Sequence, residues 1–218
     1  MKLGKEFAIL FSVMFLPGML TQTGAIDPSS WDGAYYILTL LAIAIPQILL
    51  VVYVTELRTP GFSQRLGWRT PRLADVVTLV MAAALLFGAL TILKAVSSLM
   101  PEQSALWEPA VKWSFTRFEL LPLVVLSSIA VGYREEIFYR AYMIARGDDL
   151  NLHPAIVVGG SSLLFAAGHL YQGWVGFIVS FVIGATFGAV FAWRRSLHGI
   201  AIAHGLYNTL VLLTSASI

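Results

Sequence analysis

The hydrophobic residues of this chain fall in long blocks, with neither the alternation of a half-buried strand nor the 3.6-residue stripe of an amphipathic helix. The blocks cover about 7–20, 35–55, 75–97, 118–146, 154–172, 174–193 and 197–216, which predicts helices long enough to cross a bilayer. An element that is apolar on every side needs an apolar surround, and lipid supplies one. The expected fold is all-α, a polytopic transmembrane bundle of about seven spans. The longest polar connection, Glu56 to Asp75, is roughly twenty residues and too short to fold separately, so 1–218 reads as a single membrane domain.

Composition sharpens this picture. Of 218 residues, 58% are hydrophobic and 12% charged, about half the charged share of a soluble domain, and the mean hydropathy is +0.79. A net charge of +2 gives no footing for nucleic acid. There is no cysteine, which removes disulfides, thiolate zinc sites and a cysteine nucleophile. Arg58, Arg65, Arg69 and Arg72 follow the second span, Arg146 the fourth, and Arg194 and Arg195 the sixth, while the loop after the first carries Asp27 and Asp32. The positive-inside rule then puts the N-terminus and these basic loops in the cytoplasm, with Lys94, Lys112 and Arg117 dissenting. Trp31, Trp68, Trp107, Trp113, Trp174 and Trp193 all sit at span ends or in loops, as an interfacial belt requires. Gly184 and Gly188, in small-xxx-small spacing, predict close helix packing. The first block follows Lys2 and Lys5 and contains Pro17-Gly18; its small-residue pattern near Thr23-Gly24-Ala25 is poor for signal cleavage, so an uncleaved helix is expected.

The fourth span is unusual. Its run Arg134-Glu135-Glu136-Ile137-Phe138-Tyr139-Arg140 lies inside a helix that would rise about 43 Å. Glu136 and Arg140, four apart, share a face and can pair, while Glu135 is turned about 100° away. The bland alternative is a span that ends near Tyr133 and leaves solvated charges behind it. The fifth span carries Phe165 and His169, the seventh His204 and Asn208, again four apart. Gly168 and Gly205 remove bulk beside each histidine. His153 and His198 read as interfacial, the latter with a supporting role open to it. A single membrane histidine often does no more than bond a carbonyl, but ionisable groups on three spans are costly and usually functional. Measured from Arg146, Pro154 and Ser196, helical rise puts Glu135 roughly 16 Å deep, His169 roughly 22 Å and His204 roughly 12 Å. The depths agree to within about two turns, so the three spans can present these groups to one cavity open to the cytoplasm.

At these residues the chain resembles the CAAX protease and bacteriocin-processing family, the type II CAAX prenyl endopeptidases. The resemblance rests on Glu-Glu-x-x-x-Arg at 135–140, Phe-x-x-x-His at 165–169 and His-x-x-x-Asn at 204–208, in that order. It covers about 118–210, the expected catalytic core, and 1–117 carry no family signature. It implies an intramembrane endopeptidase in which Glu135 activates water, His169 helps to hold that water, and His204 and Asn208 stabilise the oxyanion. Glu136, Arg140 and Phe165 would support them, although spacing does not settle which of the two glutamates is the base. The expected chemistry needs no metal, since no His-Glu-x-x-His places two ligands on one helix; the alternative is zinc held by Glu135, His169 and His204. The expected partners are the lipid bilayer and a membrane-tethered protein or hydrophobic peptide substrate, and the expected location is a prokaryotic cytoplasmic membrane. A proton-coupled transporter or a non-catalytic scaffold or immunity protein stands as the other reading, although no inverted repeat is visible and none of the polar motif residues is missing.

Overall fold

A computed structural model describes residues 3–16, 33–99 and 117–214. The suggested cleavage site at 23–25, the acidic loop with Asp27 and Asp32, Lys112, and Trp31, Trp107 and Trp113 lie outside those residues. The described residues form helices and turns: α1 (Leu3–Met14), α2 (Ala34–Arg58), α3 (Leu73–Ser98), α4 (Leu121–Glu136), α5 (Met143–Asp149), α6 (Pro154–Ala167), α7 (Gly173–Arg194) and α8 (Leu197–Thr214), with one helical turn at Phe62–Arg65.

α2, α3 and the run Leu170–Arg194 are long and apolar enough to cross a membrane, and α6 and Leu197–Leu213 are shorter apolar helices. Large apolar side chains such as Leu49, Val80, Phe87 and Ile92 point outward from α2 and α3, a surface that lipid would cover and water would not tolerate. α2 and α4 lie side by side and run the same way. Ile37 packs with Val124 near their starts, and Arg58 at the end of α2 shares a partner with Arg146 of α5, the helix that continues from α4.

Small residues bring the helices together. A methyl group on Gly184 would sit 2.9 Å from Ser162 Cβ, and one on Gly188 2.9 Å from a Val158 methyl, so α6 and α7 meet along the predicted glycine pair. α4 and α8 approach even more closely: a Cβ on Gly132 would lie 2.6 Å from the Ala201 carbonyl oxygen, and one on Gly205 2.5 Å from Ile129 Cα.

The basic residues gather at one end of the bundle and are mostly paired. Arg69 grips Asp75 with two hydrogen bonds of 2.8 Å, Arg65 meets Asp149 at 2.8 Å and Arg195 meets Asp148 at 2.7 Å. Beside them Glu6 of α1 is fully buried between Arg58 at 2.9 Å and Arg146 at 2.8 Å. The amino-terminal helix is thereby tied to the ends of α2 and α5. Its Phe7 and Phe11, with Phe15 just beyond its end, pack at tilted angles against Phe138 and Tyr139.

Two expected helices differ from the sequence reading. The fourth span is not one uniform α-helix. A 3₁₀ turn leads into α4, and Ile137–Tyr142 form a π-helical stretch that passes into α5. The fifth, expected over 154–172, stops at Ala167 and gives way to a 3₁₀ turn at Leu170–Gln172. Gly173 follows at φ 79° and ψ −175°, a conformation open in practice only to glycine. The 14 residues of α6 rise about 21 Å, less than the roughly 30 Å of hydrocarbon. His169 therefore sits beyond a helix end, and a broken backbone at that depth is tolerated only where protein or a cavity surrounds it.

Candidate active site

Glu135 and Glu136 close α4, immediately before the π-helical stretch. They are 7% and 0% exposed. The solvated-end reading of the charged run therefore fails, because the chain continues as buried helix beyond Tyr133. π-helical turns are wider than α-helical ones and gather at functional sites. Here the wide turn carries six buried residues, among them Tyr139 and Arg140.

The close approach of Gly132 and Gly205 puts α8 directly against this helix end. His204 Nδ1 lies 2.7 Å from Glu136 Oε1, and Arg140 reaches the same oxygen at 3.1 Å, both members of that pair being wholly buried. Arg140 also rests on the face of Phe165 at 4.4 Å, a favourable seat for a desolvated cation. Its three guanidinium nitrogens and Glu136 Oε2 lack hydrogen-bond partners of good geometry among the described residues. The contact is thus held by charge more than by aligned donors.

Glu135 faces a different set. Arg134 Nη2 donates to its Oε1 at 3.0 Å, and His204 Nε2 lies 3.6 Å from its Oε2. His169 stands within electrostatic range of the same carboxylate, as do Tyr139 and Tyr171. Phe165 organises the other side, with its ring 4.5 Å from that of His169 and 5.9 Å from that of His204. Glu135, Glu136, Arg140, Phe165, His169 and His204 are thus brought together. Asn208 lies one turn beyond His204 on α8, half-buried, with no side-chain hydrogen bond among the described residues.

Hydrogen bonding fixes how each imidazole can act. His169 Nδ1 lies 2.9 Å from the Phe165 carbonyl oxygen; a carbonyl only accepts, so Nδ1 carries the hydrogen and Nε2 keeps a lone pair. The same holds for His204. Its Nδ1 lies against Glu136 Oε1, the oxygen that Arg140 also reaches; with that oxygen accepting, Nδ1–H donates and Nε2 is left as an acceptor. A neutral His204 therefore has no donor at Nε2 for an oxyanion. That role requires the imidazolium, a condition that spacing could not reveal.

Several participants were missed in the sequence. Arg134 was visible beside Glu135, but the four-residue rule directed attention to Arg140. His198 was read as interfacial and is buried: Nδ1 meets the Tyr133 hydroxyl at 2.8 Å and Nε2 the Arg69 carbonyl oxygen at 2.5 Å, which pins the basic loop to α8 and α4. Glu6 had no signal beyond its place between Lys5 and an apolar run. Two cavities are also present. One of about 510 Å³ lies between α1, α5 and α6, and one of about 250 Å³ lies between α2 and α4 beside Tyr133 and His198. Neither is lined by Glu135, His169, His204 or Asn208, so the expected cavity around the polar cluster is not one of these two. Among the described residues no three His, Asp or Glu side chains are grouped to hold a metal ion.

This is a helical membrane bundle with two buried carboxylates, two guanidinium groups and two oriented imidazoles at the centre of three helices. Residues 117–210 match the family model for Rce1-like proteins, described as type II CAAX prenyl endopeptidase Rce1-like. The match falls on the segment that carries the three motifs, and it supports a CAAX-type protease and an integral membrane protein. No curated protein and no solved structure matches the chain.

Proposed function

We propose that this protein is an intramembrane endopeptidase in which Glu135 activates water against a peptide bond of a membrane-tethered protein or hydrophobic peptide. The observation that carries the proposal is a pair of buried glutamates that face different guanidinium groups, Arg134 and Arg140, and share the two edges of the His204 ring. Glu136 is committed to Arg140 and His204, whereas Glu135 presents Oε2 to the His204 ring edge at 3.6 Å. Glu135 takes a proton from water as the oxygen adds to the scissile carbonyl carbon. His169 Nε2, an acceptor, holds the second hydrogen of that water. The proton on Glu135 passes to His204 Nε2, and the resulting imidazolium, braced by Glu136, donates to the oxyanion together with the Asn208 amide. Collapse breaks the C–N bond, and the proton moves to the leaving amine. The products are a carboxylic acid and an amine, with one water consumed.

Charge balance favours this path. Two carboxylates face two guanidinium groups at rest, and shuttling one proton among Glu135, His204 and the leaving group keeps the buried site neutral throughout. We assign the basic end of the bundle to the cytoplasmic side of the membrane, following the positive-inside rule.

Zinc is the second reading. Both imidazoles have Nδ1 committed and Nε2 free, as zinc-bound histidines do. Against it, Arg134 occupies Oε1 of Glu135, placing a cation where a metal would compete. The test is cleavage of a membrane-anchored reporter by purified protein with and without a chelator, alongside Glu135→Gln. Loss of about 10²- to 10⁴-fold on Glu135→Gln, with no response to chelator, is the expected result. Full activity in Glu135→Gln would sink the assignment of the base, and chelator-sensitive activity restored by zinc would select the second reading.

A further inference from the structure

The larger cavity stands apart from the polar cluster. Its volume of about 510 Å³, between α1, α5 and α6, lies within the range of small-molecule pockets, about 300–1,000 Å³. Phe7 of α1, Met143 of α5 and Ile156 and Val157 of α6 give it apolar walls. Two glycines make the room: a Cβ on Gly4 or on Gly160 would meet nothing within 4 Å. Gly147, in the same wall, differs. Its Cβ would press to 2.5 Å from a Val157 methyl, so that glycine serves helix packing. Gly4 and Gly160 bring no helix closer, and the described residues leave their space unfilled.

The surroundings indicate the occupant. The cavity sits at the basic end of the bundle beside Arg146, and Leu150, Leu152 and Ile156 of its lining are exposed. Exposed apolar side chains on a membrane bundle belong in hydrocarbon, so the mouth opens to lipid. Residues 17–32 and 100–116 join α1 to α2 and α3 to α4 at the opposite end and do not reach it. Lys5 is exposed, about 100° round α1 from Gly4. It forms no ion pair among the described residues, unlike Arg58, Arg65, Arg146 and Arg195 around it.

We propose that this cavity holds one acyl chain of a membrane phospholipid, with the lipid phosphate at Lys5, as a resident structural ligand. Lipid tails are as apolar as these walls. The gain over bulk bilayer therefore comes from the dispersion contacts that an unfilled wall lacks and from the phosphate–lysine attraction. Phe7 links the cavity to the rest of the bundle. It lines the cavity and lies 5.8 Å from the Phe138 ring, and Phe138 belongs to the π-helical turn that carries Arg140. A filled cavity thus braces α1 against the turn on which the polar cluster is built.

The experiment uses the full chain in a cholate-type detergent, which offers no alkyl tail, with dihexanoyl or dioleoyl phosphatidylglycerol added. Thermal unfolding is followed, and lipid retained after washing is measured by mass spectrometry. Dioleoyl lipid is expected to raise the wild-type Tm by about 5–10 °C at saturation and to remain bound in equimolar amount, while the dihexanoyl lipid does neither. Gly160→Leu fills the cavity and should abolish both effects. Gly159→Leu, equally free of contacts but outside the cavity lining, should keep them. Lys5→Gln should weaken retention about fivefold. If Gly160→Leu does not accumulate, Gly4→Leu fills the same space from α1. Equal responses to the two lipids, or an undiminished response in the filled variant, would overturn the proposal. So would competitive inhibition of reporter cleavage by dioleoyl lipid with no change in Tm, which would give the cavity to the substrate instead.

Discussion

The substitution Gly205→Ala tests the geometry most directly. An added Cβ would stand 2.5 Å from Ile129 Cα, about 0.9 Å inside the 3.4 Å at which ordinary contact begins. The obstacle is backbone, so no rotamer change relieves it, and α8 must move away from α4 by a similar amount. His204 is the adjacent residue and shares the displacement. Its 2.7 Å bond to Glu136 would open to roughly 3.6 Å, beyond hydrogen-bond reach. Overpacking of this kind costs about 1–3 kcal/mol, and a displacement of about 1 Å at a reacting group costs about 10²-fold in rate. The assay is reporter cleavage per mole of folded protein, with thermal unfolding followed in the same detergent. Gly159→Ala is the control, because a Cβ there meets nothing within 4 Å and alanine favours the helix. If Gly205→Ala cleaves at the wild-type rate, or loses activity only in proportion to lost folded protein, then close apposition of α4 and α8 is not what sets the site.

Three further outcomes follow. Glu6→Gln removes the buried partner of Arg146 and Arg58 and should destabilise the protein by about 3–5 kcal/mol, seen as a large drop in Tm; an unchanged Tm would mean that α1 is not anchored there. Glu136→Gln strands Arg140, which is fully buried, and leaves His204 Nδ1 a neutral amide oxygen in place of a carboxylate; a loss of both folded yield and specific activity is expected, while a stable and fully active variant would refute the bracing role. At the basic end, burial pushes the Asp149 carboxyl up, but hydrogen bonds from Arg146 and Arg65 outweigh it and hold the group below the usual aspartate range. A depressed value in the folded state means stabilisation that is complete above pH of about 4 and fades as pH falls through the folded value. Asp149→Asn should therefore lower Tm at pH 7 more than at pH 3, and an equal loss at both would contradict the pairing.

The sequence by itself determined the solvent and the elements. Blocks such as 35–55 and 75–97 have one stable setting, a helix in lipid, because nothing else satisfies their backbone in an apolar surround. It also located the polar groups of the site, since Glu135, His169 and His204 stand out against apolar neighbours and carry their motif spacing with them. The glycine pair on α7 was legible for the same local reason.

What remained hidden involved groups far apart in sequence or departures from regular helix. The bond from His204 to Glu136 spans 68 residues, and that from Arg146 to Glu6 spans 140; no local pattern predicts either. The π-helical turn at Ile137–Tyr142 and the early end of α6 at Ala167 alter which way Arg140 and His169 project, and helical periodicity assumes that neither occurs. Tertiary structure alone decided which nitrogen of each imidazole carries its hydrogen and which glutamate is braced by Arg140. It also gave Arg134 to Glu135. Hydrogen-bond direction and burial are set by partners that only packing brings within 3 Å of one another.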